Sequence, residues 1–208
     1  MGGTLMRKIL LTGFEPFAGD DVNPSWEVAR SLDGKEIAGA KVLARRLPVV
    51  WGRAVDEIAA HIDAEGPDLV VCLGESGRPE LCPERVAINV SDADGPDNAG
   101  TTLTGEPVDP DGPAAYFSTL PVKEIVAAIR DAGVPAKLSN SAGTYLCNHA
   151  MYGALNHLAR RGLAVPAGFI HVPKLPRQLA ASGKDGSSMA LETQVAGIIA
   201  ALECCLRR

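Results

Sequence analysis

Apolar residues fall in short unbroken runs separated by longer amphipathic stretches. Residues 8–12 form a β-branched and leucine-rich run stopped by Gly13, which reads as a buried first strand. Residues 14–23 form a loop rich in Gly, Pro and Asp, and Pro24-Ser25-Trp26 then opens a helix to about Leu32, proline being suited to a first helical turn. The pattern predicts a strand over 41–50, an amphipathic helix over 51–64 and a third strand over 69–73, whose continuous hydrophobicity fits cover on both faces. Further on it predicts a strand at 86–90, a helix at 123–132, a strand at 136–139, a long helix at 146–161 and a last clear strand at 169–172. Residues 173–184 read as a loop and 189–206 as a closing helix. This alternation points to an α/β sheet with helices on both faces.

Residues 91–116 interrupt that rhythm with Asp, Gly, Pro and Asn. So long a stretch without regular structure inside a compact chain is expected to be functional, as a lid or a pocket wall. No internal repeat or linker divides the sequence, and 208 residues suit one domain spanning 1–208.

Composition narrows the classes of function. Twenty basic against twenty-five acidic residues, without a basic block, exclude a phosphate-backbone partner, so no nucleic acid is expected. The longest apolar stretches, 68–73 and 195–202, fall well short of the ~20 residues that span a bilayer. The N-terminus shows no cleavable signal pattern, and Met6 stands where a Met-Gly myristoylation site needs Ser or Thr. Cys72, Cys82, Cys147, Cys204 and Cys205 are odd in number and lack a CxxC pair, which speaks against a disulfide framework or structural zinc and for a reducing cytoplasm.

The candidate chemistry begins at Cys147. A small-residue turn, Ser139-Asn140-Ser141-Ala142-Gly143-Thr144, leads into the long helix and puts Cys147 in its first turn. Unsatisfied N–H groups and the positive helix end favour a thiolate there and can donate to an oxyanion. The same position also suits an ordinary buried cysteine. Among the four histidines, His61 and His157 read as surface or capping residues. His149 lies two positions from Cys147 and so on another helix face. His171 ends a strand before a proline loop, where catalytic groups of open α/β sheets collect, although a buried histidine bonded to backbone fits the same place. Glu84 enters an apolar strand, a costly place for an unpaired acid, and is the candidate to orient the imidazole. Spacing alone does not establish that the three residues meet.

Five ordered motifs do point that way. They are Leu10-Leu11-Thr12-Gly13-Phe14-Glu15-Pro16-Phe17 with Asn23-Pro24-Ser25-Trp26, then Glu84-Arg85-Val86-Ala87-Ile88-Asn89, then Ala142-Gly143-Thr144-Tyr145-Leu146-Cys147-Asn148-His149. His171-Val172-Pro173 with Leu175-Pro176 and Ser188-Met189-Ala190-Leu191-Glu192 complete the set. Together they resemble the pyrrolidone-carboxylate peptidases, or type I pyroglutamyl peptidases, from about residue 7 to the end.

The resemblance implies a single three-layer α/β/α domain with a mostly parallel central sheet. It implies a thiol-dependent exopeptidase that hydrolyses the bond after an N-terminal pyroglutamyl residue. Glu84, Cys147 and His171 match the family's catalytic positions, no metal or organic cofactor is implied, and a dimer or tetramer is. Phe14, Phe17, Tyr145 and Leu146 would line the pocket for the lactam ring. Asn23 would fix the loop beside it, and Glu75 stands where a neutral glutamine often contacts the ring.

Two departures lie near that pocket. Gly74-Glu75-Ser76-Gly77-Arg78 is one residue shorter than the usual Gly-rich stretch, and Asp94-Gly95 replaces an Arg-Ile pair. A binder of N-blocked peptides on the same fold, without catalysis, is the alternative reading. A nucleoside phosphorylase-like enzyme lacks the phosphate loop it would need.

Overall fold

The computed structural model describes residues 6–183 and 185–207. The Met-Gly start, Lys184 at the end of the expected 173–184 loop, and both ends of the 1–208 span lie outside the described residues. In chain order the elements are β1 (Arg7–Phe14), α1 (Pro24–Leu32), β2 (Glu36–Ile37), β3 (Ala40–Leu47), α2 (Arg53–Glu65), β4 (Leu69–Ser76), β5 (Cys82–Pro83) and β6 (Val86–Ile88). They continue with β7 (Ser91–Asp92), β8 (Thr104–Glu106), β9 (Ala115–Phe117), α3 (Val122–Asp131), α4 (Leu146–Arg160), β10 (Ala167–Pro173), α5 (Pro176–Ser182) and α6 (Leu191–Leu206).

Six strands form the central sheet in the order β2-β3-β1-β4-β10-β5. The four middle strands are mutually parallel, and the two-residue edge strands β2 and β5 run antiparallel. Successive side chains of the inner strands point to opposite faces. Ile9, Leu11, Val71, Leu73, Ile170 and Val172 join Val28, Ile129, Ile198 and Leu202 in one core, under α1, α3 and α6. Leu10, Phe14, Val70, Cys72 and Phe169 join Ile58, Ile62, Tyr152 and Leu155 in the other, under α2 and α4. The result is the three-layer α/β/α arrangement, with the parallel strands buried on both faces.

Several boundaries differ from those read in the sequence. β3 stops at Leu47, because Pro48 has no N–H to continue the ladder. The strand expected at 86–90 is present over 86–88 but leaves the central sheet and pairs with β9. The segment 136–139 is not a strand. It runs beside 81–84 and meets it only at isolated bridges, Leu81 with Ala136 and Glu84 with Ser139.

The 91–116 region carries β7, β8 and the start of β9. It is tied to the body of the protein by Asn89 to Asp109, Asn156 and Arg160 to Asp109, and Tyr152 to Pro113. Part of the expected 173–184 loop is α5, opened by Pro176. The Gln178 side chain there folds back to accept from the Leu175 N–H at 2.8 Å. α6 begins at Leu191 rather than 189, since Ala190 is its N-cap, with ψ at 146° outside the helical range.

Candidate active site

The carboxyl ends of β1, β4 and β10 converge on one side of the sheet, and α4 starts just above them. Gly13 lets this end assemble, because a side chain there would strike the backbone of Ser25 and Trp26 at the start of α1. Ser25 Oγ accepts from Phe14 N–H at 2.9 Å, locking the β1 exit to that helix. Asn23 caps α1 by accepting from Ser25 N–H at 3.1 Å, and its amide donates to the Glu15 carbonyl at 3.0 Å. Its polar atoms are thus spent on holding the loop.

Cys147 is the second residue of α4. The first bond of that helix runs from His149 N–H to the Tyr145 carbonyl, and Tyr145 supplies no side-chain cap. The N–H groups of Leu146, Cys147 and Asn148 therefore have no acceptor among the described residues, which concentrates positive potential around the thiol. The helix is anchored by Asn148, whose amide accepts from Ile88 N–H and donates to the carbonyls of Ile88 and Val90, each at 2.9 Å. Below the sulfur lies Gly74 of β4. A Cβ at that position would stand 2.7 Å from Cys147 Sγ and 2.6 Å from the Phe169 ring, so the absent side chain makes the space that the sulfur occupies.

His171 sits on β10 directly opposite Gly74 in the parallel register. Its Nδ1 lies 2.7 Å from Glu84 Oε1, and the imidazole shares the lining of one cavity with the Cys147 thiol. Because Nδ1 faces the carboxylate, Nε2 is the nitrogen left for the sulfur. Burial alone would lower the His171 pKa. Cys147 and Glu84 outweigh it and lift the value from 6.5 to about 9, favouring the imidazolium at neutral pH. Glu84 is fully buried, and its backbone is clamped by its own N–H to the Phe169 carbonyl and by Arg85 N–H to the Ser139 carbonyl.

The thiol and imidazole open on a cavity of about 650 Å³. Phe14, Phe17, Asn23, Glu75, Tyr145 and Leu146 all line it, as does the 92–96 stretch. Tyr145 packs edge-on against Trp51 with ring centroids 5.2 Å apart, and 6.3 Å from Phe17. Glu75, the acid expected where relatives have an amide, is compensated. Lys174 Nζ is 3.3 Å from its Oε1, and the buried Gln178 donates to its Oε2 at 2.8 Å. Lys174 and Gln178 also reach Asp20, so two carboxylates share one cation and one amide beside the wall. Asp94 lies exposed in the lining of the same cavity.

The remaining histidines separate as expected. His61 and His157 pair with Glu65 and Asp63 near the surface. His149 is buried and accepts from Gly52 N–H at Nε2, 3.1 Å away, with Nδ1 2.9 Å from Ser91 Oγ. Burial drops its pKa to about 4, so it is a neutral structural group. Sequence reading missed Arg78, whose Nη1 lies 3.3 Å from Glu84 Oε1, and the Lys174–Gln178 support of Glu75. Those contacts join loops remote in sequence, and no local pattern marks them.

The sequence profile of the family described as pyroglutamyl peptidase matches residues 7–208. A pyrrolidone-carboxylate peptidase of Chromobacterium violaceum is 52% identical over 204 residues, covering 98% of this chain and 94% of its own. One from Bacillus cytotoxicus is 43% identical over 203 residues, covering 97% and 94%. Among solved structures, the fold superposes on pyroglutamyl peptidase I of Bacillus amyloliquefaciens with a TM-score of 0.94 at 37% identity, covering 97% of this chain and 98% of that one. For pyrrolidone carboxyl peptidase of Pyrococcus furiosus the TM-score is 0.92 at 42% identity, with coverage of 96% and 98%.

Proposed function

Since the chain belongs to the pyroglutamyl peptidase family, we propose that it removes N-terminal pyroglutamyl residues from peptides with Cys147 as nucleophile, His171 as acid and base, and Glu84 orienting the imidazole. The observation that carries this reading is the Glu84–His171 hydrogen bond beside Cys147, with imidazole and thiol lining one apolar cavity. The same contact weighs against a non-catalytic binder, which has no use for an assembled nucleophile and base.

The steps follow from the geometry. The thiol proton passes to His171 Nε2, giving a thiolate and imidazolium, and the sulfur attacks the pyroglutamyl carbonyl carbon. Its oxygen takes the negative charge and accepts from the free N–H groups at the start of α4. His171 then gives its proton to the departing amine, the C–N bond breaks, and a thioester remains on Cys147. Water, deprotonated by the same imidazole, attacks the thioester, releasing pyroglutamate and restoring the thiol. Phe14, Phe17, Tyr145 and Leu146 suit a flat uncharged lactam, and the Lys174-compensated Glu75 suits a hydrogen bond to it.

The test is release of a chromogenic amine from a pyroglutamyl amide, run beside the prolyl analogue. Release from the first alone, lost in Cys147→Ala with a native circular dichroism spectrum, supports the assignment. Undiminished release in that variant removes Cys147 from the mechanism. Site residues drawn from Phe14 to Gln178 support reading the chain as one peptidase domain. Five unbridged cysteines support a cytoplasmic site of action. Phe117, 70% exposed, and Leu163, 41% exposed, flank one apolar groove and support a dimer or tetramer, which a purely monomeric sedimentation profile would exclude.

A further inference from the structure

Arg78 enters the site from the turn between β4 and β5. Its side chain is 45% exposed, yet it contacts a carboxylate that is wholly buried. Nη1 lies 3.3 Å from Glu84 Oε1, the same oxygen that meets His171 Nδ1 at 2.7 Å. The other oxygen, Oε2, is buried and has no hydrogen-bond partner among the described residues. No other Lys or Arg is within ion-pair distance of Glu84 among those residues.

A carboxylate removed from water reverts to the neutral acid unless positive charge and hydrogen bonds oppose that change. An exposed ion pair contributes little. Here one partner has already lost its hydration, and Arg78 and the His171 imidazolium are the two positive groups that offset it. Without Arg78, Oε1 would be held by His171 alone. The guanidinium and the imidazole meet at the same oxygen, so rotation of the carboxylate would break both contacts.

We propose that Arg78 is a positioning residue of this site: reaching in from solvent, it offsets the buried carboxylate of Glu84 and commits Oε1 to His171, so that the imidazole is held in the tautomer and direction that serve Cys147. The inference rests on the roles assigned above to Glu84, His171 and Cys147. The titratable and charged groups facing Glu84 are His171 from β10, and Arg78 and Cys82 from the 77–83 segment. Glu80 lies beyond Cys82, and Cys147 of α4 lies beyond the imidazole. Of these, Arg78 alone is permanently positive.

The experiment uses the full chain and reads two quantities against pH: alkylation of Cys147 by iodoacetamide, resolved by peptide mass spectrometry, and kcat/KM on the pyroglutamyl amide. In Arg78→Met, which keeps bulk and loses charge, both should fall about tenfold at neutral pH, with the acid limb moving up by roughly one pH unit. Arg78→Lys should recover most of the loss. Added guanidinium ion should partly restore Arg78→Ala, because the position opens to solvent. Profiles for Arg78→Met that match the wild type within twofold would overturn the proposal. So would equal losses in the Met and Lys variants with the shape of the profile unchanged and only the melting temperature lowered. Failure of the peptidase reading would show separately, as wild-type protein that releases no amine, and the alkylation profile decides the role of Arg78 in either case.

Discussion

Replacing Glu84 by glutamine changes the charge beside His171 while keeping the shape. The imidazole pKa stands at about 9 against 6.5 for a free histidine. At roughly 1.4 kcal/mol per unit, that amounts to about 3 kcal/mol in favour of the imidazolium. Cys147 and Glu84 share it, and a hydrogen bond to a charged group contributes about 1.5–3 kcal/mol. Losing the share of Glu84 should therefore lower kcat/KM about 10- to 100-fold and move its alkaline limb to lower pH, since burial then acts with less opposition.

The sign of the stability effect follows from the same shift. A histidine whose pKa is raised on folding stabilises fully below the unfolded value of 6.5, and the contribution fades as pH rises through about 9. The stability deficit of Glu84→Gln should accordingly be larger at pH 6 than at pH 9.5. A second, pH-independent cost of about 1–3 kcal/mol arises if the new amide N–H occupies the place of Oε2, where the structure offers no acceptor. The assay is a pH series of kcat/KM beside denaturant melts at the two pH values. A folded variant with wild-type kcat/KM and an unmoved alkaline limb would refute the reasoning.

Two further outcomes follow from packing and burial. Gly74→Ala would place a methyl 2.7 Å from Cys147 Sγ, so it should lose about 1–3 kcal/mol of stability by overpacking and most of its turnover. Unchanged melting temperature and activity would contradict that. His149, depressed to about 4, binds its proton in the unfolded chain first, so wild-type stability should fall by about 3 kcal/mol as pH drops from 6.5 to 4. His149→Gln should flatten that loss, and parallel urea midpoints for both proteins at pH 7 and pH 4.5 would count against it.

The inner strands were legible because their apolar runs are unbroken, and the helices because their apolar faces repeat. β2 and β5 were not, since two residues such as Cys82-Pro83 carry no period. α5 hid among the prolines of 173–184, although Pro176 at its first turn and the Gln178 side chain folded back to Leu175 explain it afterwards. Cys147 and His171 showed through their places at a helix start and a strand end. The partner of Glu84 was only partly visible. An acid entering an apolar run signals a need for compensation, but the run does not say that Arg78 supplies it. Likewise Glu75 looked like an intruding charge, because the lysine and glutamine that balance it come from the far side of β10.

The arm of 88–96 is bonded to the helix that bears the sulfur. Asn148 holds Ile88 and Val90, Ser91 holds His149, Thr144 and Asp92 exchange two bonds, and the Tyr145 hydroxyl donates to the Pro96 carbonyl. One wall of the cavity and the nucleophile are therefore tied into one bonded unit, and their amides should exchange with deuterium together. At the tip of that wall, the exposed Asp94 side chain holds no hydrogen bond or ion pair among the described residues. Selectivity can drift there through mutation while the bonds that aim the sulfur stay in place.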